Sequence, residues 1–153
     1  MIYDNVSGGP ELLAWFGEEP TFHDAEVISL SLSRTGPSEL KIHGWIATDD
    51  VDPNGYIVLD KHAIVTFSLE GVMDLQLDGF SGQNVVGGLI LRYATDRGRS
   101  GYHPMPEDPR DIEIELIPCY GLDGFIRAKK VALSFSPGRP DKTNELAPEA
   151  RRR

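Results

Sequence analysis

The sequence predicts a mainly β fold bordering on α+β: an antiparallel sheet or a two-layer β-sandwich of about seven or more strands, with one short N-terminal helix. Three observations lead there. Apolar residues recur at every second position through most of residues 28–135, turn-forming residues punctuate the runs at short spacing, and only one segment, near the N-terminus, has helical spacing.

That segment is Pro10-Glu-Leu-Leu-Ala-Trp-Phe-Gly17. Proline suits a first helical position, Glu11 favours the positive end of the helix dipole, Ser7 or Gly9 can cap the start and Gly17 can end it. Leu12, Trp15 and Phe16 then share one face, which should dock on a core.

From Ile28 onward the period is two. Ile28, Leu30 and Leu32 alternate with serines, and Leu40, Ile42 and Ile46 alternate with Lys41, His43 and Trp45; Thr35-Gly36-Pro37-Ser38 joins the two runs as a hairpin. Gly44 marks a bulge or a close approach. Val65, Phe67 and Leu69 pair best with Met73, Leu75 and Leu77 across a three-residue turn, Glu70-Gly71-Val72, because a two-residue loop would set Phe67 against Asp74. Leu89 to Tyr93, Ile112 to Ile117, and Val131 to Phe135 after Gly124-Phe125-Ile126 complete the strands.

Residues 1–138 are expected to form one domain and residues 139–153, nearly devoid of apolar side chains and ending in three arginines, a tail without fixed structure. Residues 96–111 hold three prolines and two glycines, which suits a binding loop.

Charge is the least ordinary quantity. The chain carries −9 overall; residues 1–138 hold 10 Lys or Arg against 21 Asp or Glu, while residues 139–153 hold 5 against 3. An acidic body repels phosphate, so nucleic acid and anionic membrane are excluded as expected partners, and a basic protein is favoured. The single cysteine, Cys119, permits no intramolecular disulfide and is expected to pack as a small hydrophobe. With neither a signal-like start nor an apolar run of membrane length, the chain is expected to be cytoplasmic.

Motifs for chemistry fare poorly. Neither a phosphate-cradling glycine loop nor a nucleophile elbow occurs. Asp50-Val-Asp-Pro-Asn-Gly55 opens like a calcium loop, but Lys61 stands where the bidentate glutamate belongs, so a plain turn is expected. His23 with Asp24 could serve as an acid-base pair, giving a hydrolase, yet the remaining histidines are scattered, so neither metal nor cofactor is expected; Asp24 bonding the turn and His23 half-buried is the preferred reading. Asp74, Asp78, Glu113 and Glu115 read as a solvated outer face.

The run Phe22-His23-Asp24-Ala25-Glu26-Val27-Ile28-Ser29-Leu30, with Trp15 before it and Leu40-Lys41-Ile42-His43 after it, resembles the opening of an immunity protein family of bacterial polymorphic toxin systems, the one numbered fifty. The segment from Cys119 through Tyr120-Gly121-Leu122-Asp123-Gly124 to Val131 is similar to that family's ending, and the resemblance covers residues 15–135. It implies a non-catalytic protein that neutralises a cognate toxin, and it assigns no inhibitory residues. Phe22, His23, Asp24 and Glu26 are then expected to be structural. An interface is expected on residues 96–111 together with an exposed Trp45, with Trp45, Tyr102 and His103 as anchors. The rival expectation is a small-molecule or carbohydrate-binding β domain that stacks ligands on Trp15 and Trp45.

Overall fold

The computed structural model describes residues 1–99, 101 and 103–140; the predicted tail from 141 onward and Tyr102 lie outside them. A 3-10 turn, Ile2–Asn5, precedes helix α1, Gly9–Phe16. Six strands follow: β1 Glu26–Ser31, β2 Ser38–Val51, β3 Ile57–Asp78, β4 Val85–Tyr93, β5 Ile112–Tyr120 and β6 Asp123–Pro137. The mainly β class with one short N-terminal helix is therefore what forms. All strand pairs are antiparallel in the order β1-β2-β3-β6-β5-β4, and this single sheet closes on itself as a barrel.

The expected hairpin at Glu70-Gly71-Val72 does not exist: β3 runs through it without turning. Residues 65, 67 and 69 have the same parity as 73, 75 and 77, so the alternation is equally that of one strand with a glycine in the seventy-first slot. β6 decides the matter by pairing both halves, from Ala63↔Pro137 to Asp78↔Asp123. Gly71 sits at φ +65° beside Lys129, and a bulge between Val72 and Asp74 takes the place of the turn.

The barrel interior is packed by Leu40, Ile42, Val65, Phe67, Leu69, Leu89, Ile114, Leu116 and Ile126, all nearly inaccessible. β5 pairs with β6 only between Leu116↔Gly124 and Ile112↔Ala128, which leaves the rest of that edge of β6 open. The N-terminal segment covers it: Ser7 bridges Ala132, and the Leu133 N–H donates to Ser7 O at 2.7 Å. Neither Ser7 nor Gly9 caps α1. Gly8 does, in a left-handed conformation, because a side chain at position 8 would collide with the Leu133 carbonyl. As expected, Gly17 ends the helix, its N–H donating to Leu13 O, and Leu12 and Phe16 are buried.

Closure between β1 and β4 depends on residues 21–27, because only Glu26↔Val85 pairs in register there. The Leu89, Val86 and Val27 N–H groups donate to Thr21 O, Ala25 O and Asn84 O respectively, lacing the two strands together. Phe22, at φ +56°, turns its ring inward to meet Phe16 and Phe67 edge-on. Gly44 opposite gives room for that ring: a Cβ there would lie 2.9 Å from it. The Phe22-His23-Asp24-Ala25-Glu26 run thus closes the barrel and plugs it.

Candidate protein-binding arm

β2 and β3 outrun the barrel. β1 pairs with β2 no farther than Glu26↔His43, and β6 pairs with β3 no farther than Ala63↔Pro137. Beyond those points residues 45–51 and 57–62 have strand pairing only with each other, through Ile46↔Asp60, Ala47↔Leu59 and Val51↔Ile57. They form a two-stranded arm about 20 Å long at the usual rise per residue.

The tip is the plain turn expected of residues 50–55. The Asp52 carboxylate accepts the N–H groups of Asn54 and Tyr56, both at 2.9 Å, and Gly55 takes φ +86°. With that oxygen engaged by backbone, the calcium reading has no support from the geometry.

Both faces of the arm meet solvent. Tyr56 is 70% exposed, Ile57 59% and Val51 61%, and Val58 and Leu59 are also exposed. Asp49, Asp50 and Asp60 share the exposed surface, with half-buried Asp52 at the tip and Lys61 as the one cation. A contiguous apolar run set among carboxylates is unusual on a surface and typical of a recognition site.

At the foot of the arm the side chains of His43, Trp45 and His62 gather. His43 Nε2 and His62 Nδ1 are 3.0 Å apart, and the Trp45 ring lies 4.9 Å from the His43 ring and 5.8 Å from the His62 ring. Burial first, then the neighbouring His62 and Arg139, lowers the His43 pKa to about 4, so the pair is neutral and shares one proton-mediated bond. The sequence scatters these histidines nineteen residues apart; β2–β3 pairing unites them. Trp45, expected to be exposed, is half-buried here and stiffens the junction.

His103, the other described residue of the expected interface, is elsewhere. Asp74, near which His103 lies, is eleven residues along β3 from Ala63 at the arm's foot, so Trp45 and His103 share no surface. The His103 side chain is only 5% exposed, 3.2 Å from Glu107, with Nδ1 buried and unpaired. The described residues of 96–111 do not stand out as a free binding loop, because Arg97 and Arg99 tie them to the barrel wall and Arg110 pairs with Asp108 beside it.

That wall corrects the solvated-face expectation for Asp74, Glu113 and Glu115, while Asp78 is exposed as expected. Arg92, Glu113, Arg127 and Asp74 are successive cross-strand partners on β4, β5, β6 and β3, giving a row of alternating charge. Arg97 grips Glu113 at 2.8 and 2.9 Å and stacks over Phe125, while Arg99 grips Asp74 at 2.7 and 2.9 Å. Glu113 is consequently 0% exposed. Burial raises its pKa, but the hydrogen bonds from Arg97 and Arg92 outweigh that and hold it below the usual range. The hydrogen bond from Arg99 does the same for Asp74. Arg127 and Lys129 hold the buried Asp111, and Arg110 pairs with Asp108. Six of the ten cations in residues 1–138 are therefore paired on or beside this wall, so among the described residues the arm's carboxylates have only Lys61 on the arm and Arg139 near its foot as neighbouring cations.

His23 and Asp24 form no pocket. Their side chains are 73% and 59% exposed, so His23 is not half-buried as expected, and Asp24 Oδ2, expected to bond the turn's backbone, instead lies 3.5 Å from His23 Nε2. His23 Nδ1 instead faces Gly87 O at 3.0 Å, another tie between the closing turn and β4. Trp15 and Trp45 do not make a joint stacking platform. Trp15 packs on Phe135 and donates its Nε1–H to Lys61 O at 3.0 Å. Cys119, expected to be packed, is exposed at the end of β5, where Pro118, Cys119 and Tyr120 outrun the core. A shallow cleft of about 450 Å³ beside Tyr93, Arg110, Lys129 and Lys130 has its cations already matched by Asp108 and Asp111 apart from Lys130. Among the described residues no group of three metal-ligating side chains gathers, and no helix is long and apolar enough to cross a membrane.

No protein-family model, curated protein or solved structure matches the chain.

Proposed function

We propose that this protein is a non-catalytic protein-binding domain, an immunity protein that works in the cytoplasm and neutralises a cognate toxin through the arm formed by residues 45–62. The observation that carries this reading is the arm itself. A solitary two-stranded ribbon is marginally stable, and leaving Tyr56, Ile57, Val58 and Leu59 in water forgoes roughly 1.5–3 kcal/mol for each large side chain that a partner could bury. A complementary surface recovers that energy on binding.

Charge selects the partner. Asp49, Asp50, Asp52 and Asp60 face one lysine on the arm, and the body behind it is acidic. Two copies meeting arm to arm would oppose eight carboxylates, whereas a basic toxin would be steered in. That the partner is a toxin rests on the resemblance in residues 15–135 alone.

The test is co-expression with the protein encoded beside this one, scoring complex formation and rescue from toxicity. Tyr56→Ala with Ile57→Ala should weaken the complex at least tenfold while leaving the melting temperature of the free protein nearly unchanged, because both side chains are already in water. Failure of the wild-type chain both to bind and to rescue would sink the immunity reading; binding indifferent to the arm substitutions would remove the arm from the site.

A further inference from the structure

We infer that the arm takes an extended, cationic and apolar segment of its partner as a third β-strand, added along the outer edge of β3 from Ile57 to Asp60. This rests on the reading of the arm as the binding element and specifies how it binds.

The two edges of the arm are unequal. On β2, the five residues from Ala47 to Val51 oppose only three on β3, from Leu59 to Ile57, so the β2 strand bulges at Thr48, Asp49 and Asp50. The bulge is held by local bonds: Thr48 Oγ1 donates to Val58 O at 2.8 Å and accepts the Asp50 N–H at 3.1 Å. Such a bulge spoils an edge for pairing. Across from it, residues 57–60 run as regular strand.

Among the described residues no strand pairs with β3's outer edge toward the tip, where the His62 ring alone reaches the Leu59 backbone. β6 follows β3 as far as Pro137, and the Gly138 N–H still donates to His62 O at 2.7 Å. At Gly138, φ +109°, the chain bends away before Pro140, and β3 irregularities at Lys61, φ +56°, mark the same boundary. Toward the tip, Ile57 to Asp60 then present backbone groups that neither β2 nor β6 pairs. Tyr56-Ile57-Val58-Leu59 holds none of the proline, lysine or inward charge that ordinarily guards such an edge; the first charges along it are Asp60 and Lys61 at its inner end.

An incoming strand would lie about 4.8 Å away and alternate its side chains over both faces of the ribbon. Tyr56 and Val58 fall on one face and Ile57 and Leu59 on the other, so apolar side chains find partners on either side. Cations on the same strand reach Asp60, Asp52 and the bulged Asp49 and Asp50. Main-chain bonds supply affinity, and the apolar-cationic alternation supplies selectivity.

The test uses the full chain and a seven-residue capped peptide of alternating lysine and valine, at 0.15 M salt. Binding should slow amide exchange at least tenfold at those N–H groups of Ile57 to Asp60 that point away from β2. A peptide methylated at its internal amides keeps charge and side chains, and it should bind at least tenfold more weakly. Equal binding by both peptides, or no protection of these amides, would overturn strand addition in favour of side-chain docking. Binding that appears only after residues 141–153 are removed would assign the edge to the chain's own terminus and overturn it as well. The two readings fail separately. If the peptide adds to the edge but the neighbouring protein neither binds nor is neutralised, the immunity reading falls alone. If that protein binds through the arm while the Ile57 to Asp60 amides exchange freely in the complex, strand addition falls alone.

Discussion

Glu113→Gln is the most incisive perturbation of the wall that Arg97 and Arg99 grip. Glu113 is 0% exposed and receives Arg97 through two bonds of 2.8 and 2.9 Å and Arg92 at 2.7 Å, while those arginines are 28% and 32% exposed. Removing one member of a buried ion pair costs about 3–5 kcal/mol, because the partner charges stay desolvated. Here both guanidiniums keep some water and retain Glu115 as a second carboxylate, which places the expected loss near the lower end, about 3 kcal/mol. For a domain of this size that is a fall in melting temperature of roughly 6–12 °C. Urea unfolding at pH 7 followed by tryptophan fluorescence measures it. A loss under about 1 kcal/mol would show that the trio is a surface decoration and that the strap is held by something else. Replacing the whole cluster, Glu113→Leu and Glu115→Gln with Arg92→Met and Arg97→Met, should restore most of the stability, since no charge is then stranded.

Other consequences are equally open to measurement. The folded-state pKa of Glu113 is depressed, so its stabilisation is complete above the unfolded value near 4.5 and is lost as pH falls through the lower folded value; Glu113→Gln should flatten the acid limb of the stability curve. His43 acts over a different window. Its folded pKa of about 4 lies below the unfolded value near 6.5, so the unfolded chain takes up the proton first and stability falls as pH drops from about 6.5 toward 4, by at most about 3 kcal/mol. Urea midpoints across that range should slope in the wild type and much less in His43→Gln; equal slopes would remove His43 as the cause. Gly44→Ala should cost about 1–3 kcal/mol by driving a methyl into the Phe22 ring, and pairing it with Phe22→Leu should recover part of the loss. A neutral Gly44→Ala would mean that the plug is loosely seated.

The alternation of apolar and polar residues made the strand-rich class legible, because side chains on a strand must point alternately to core and to water whatever the topology. The helix at residues 10–17, the turn at residues 50–55 and the close approach at Gly44 were legible for the same kind of reason: proline, asparagine and glycine impose local geometry that few folds can overrule. Partners are a different matter. Whether Leu69 and Met73 lie across a turn or along one strand depended on β6 being long enough to pair with both. Whether Glu113 meets water depended on two arginines sixteen and twenty-one residues away folding back over it. Tyr56-Ile57-Val58-Leu59 offers no polar alternation, the mark of a strand buried on both faces, yet it stands in solvent because β1 and β6 stop short of it. Period and turn chemistry are properties of neighbours in sequence and can be read from the chain; burial, charge pairing and the open edge are properties of which strands end where, and only the closed barrel decides them.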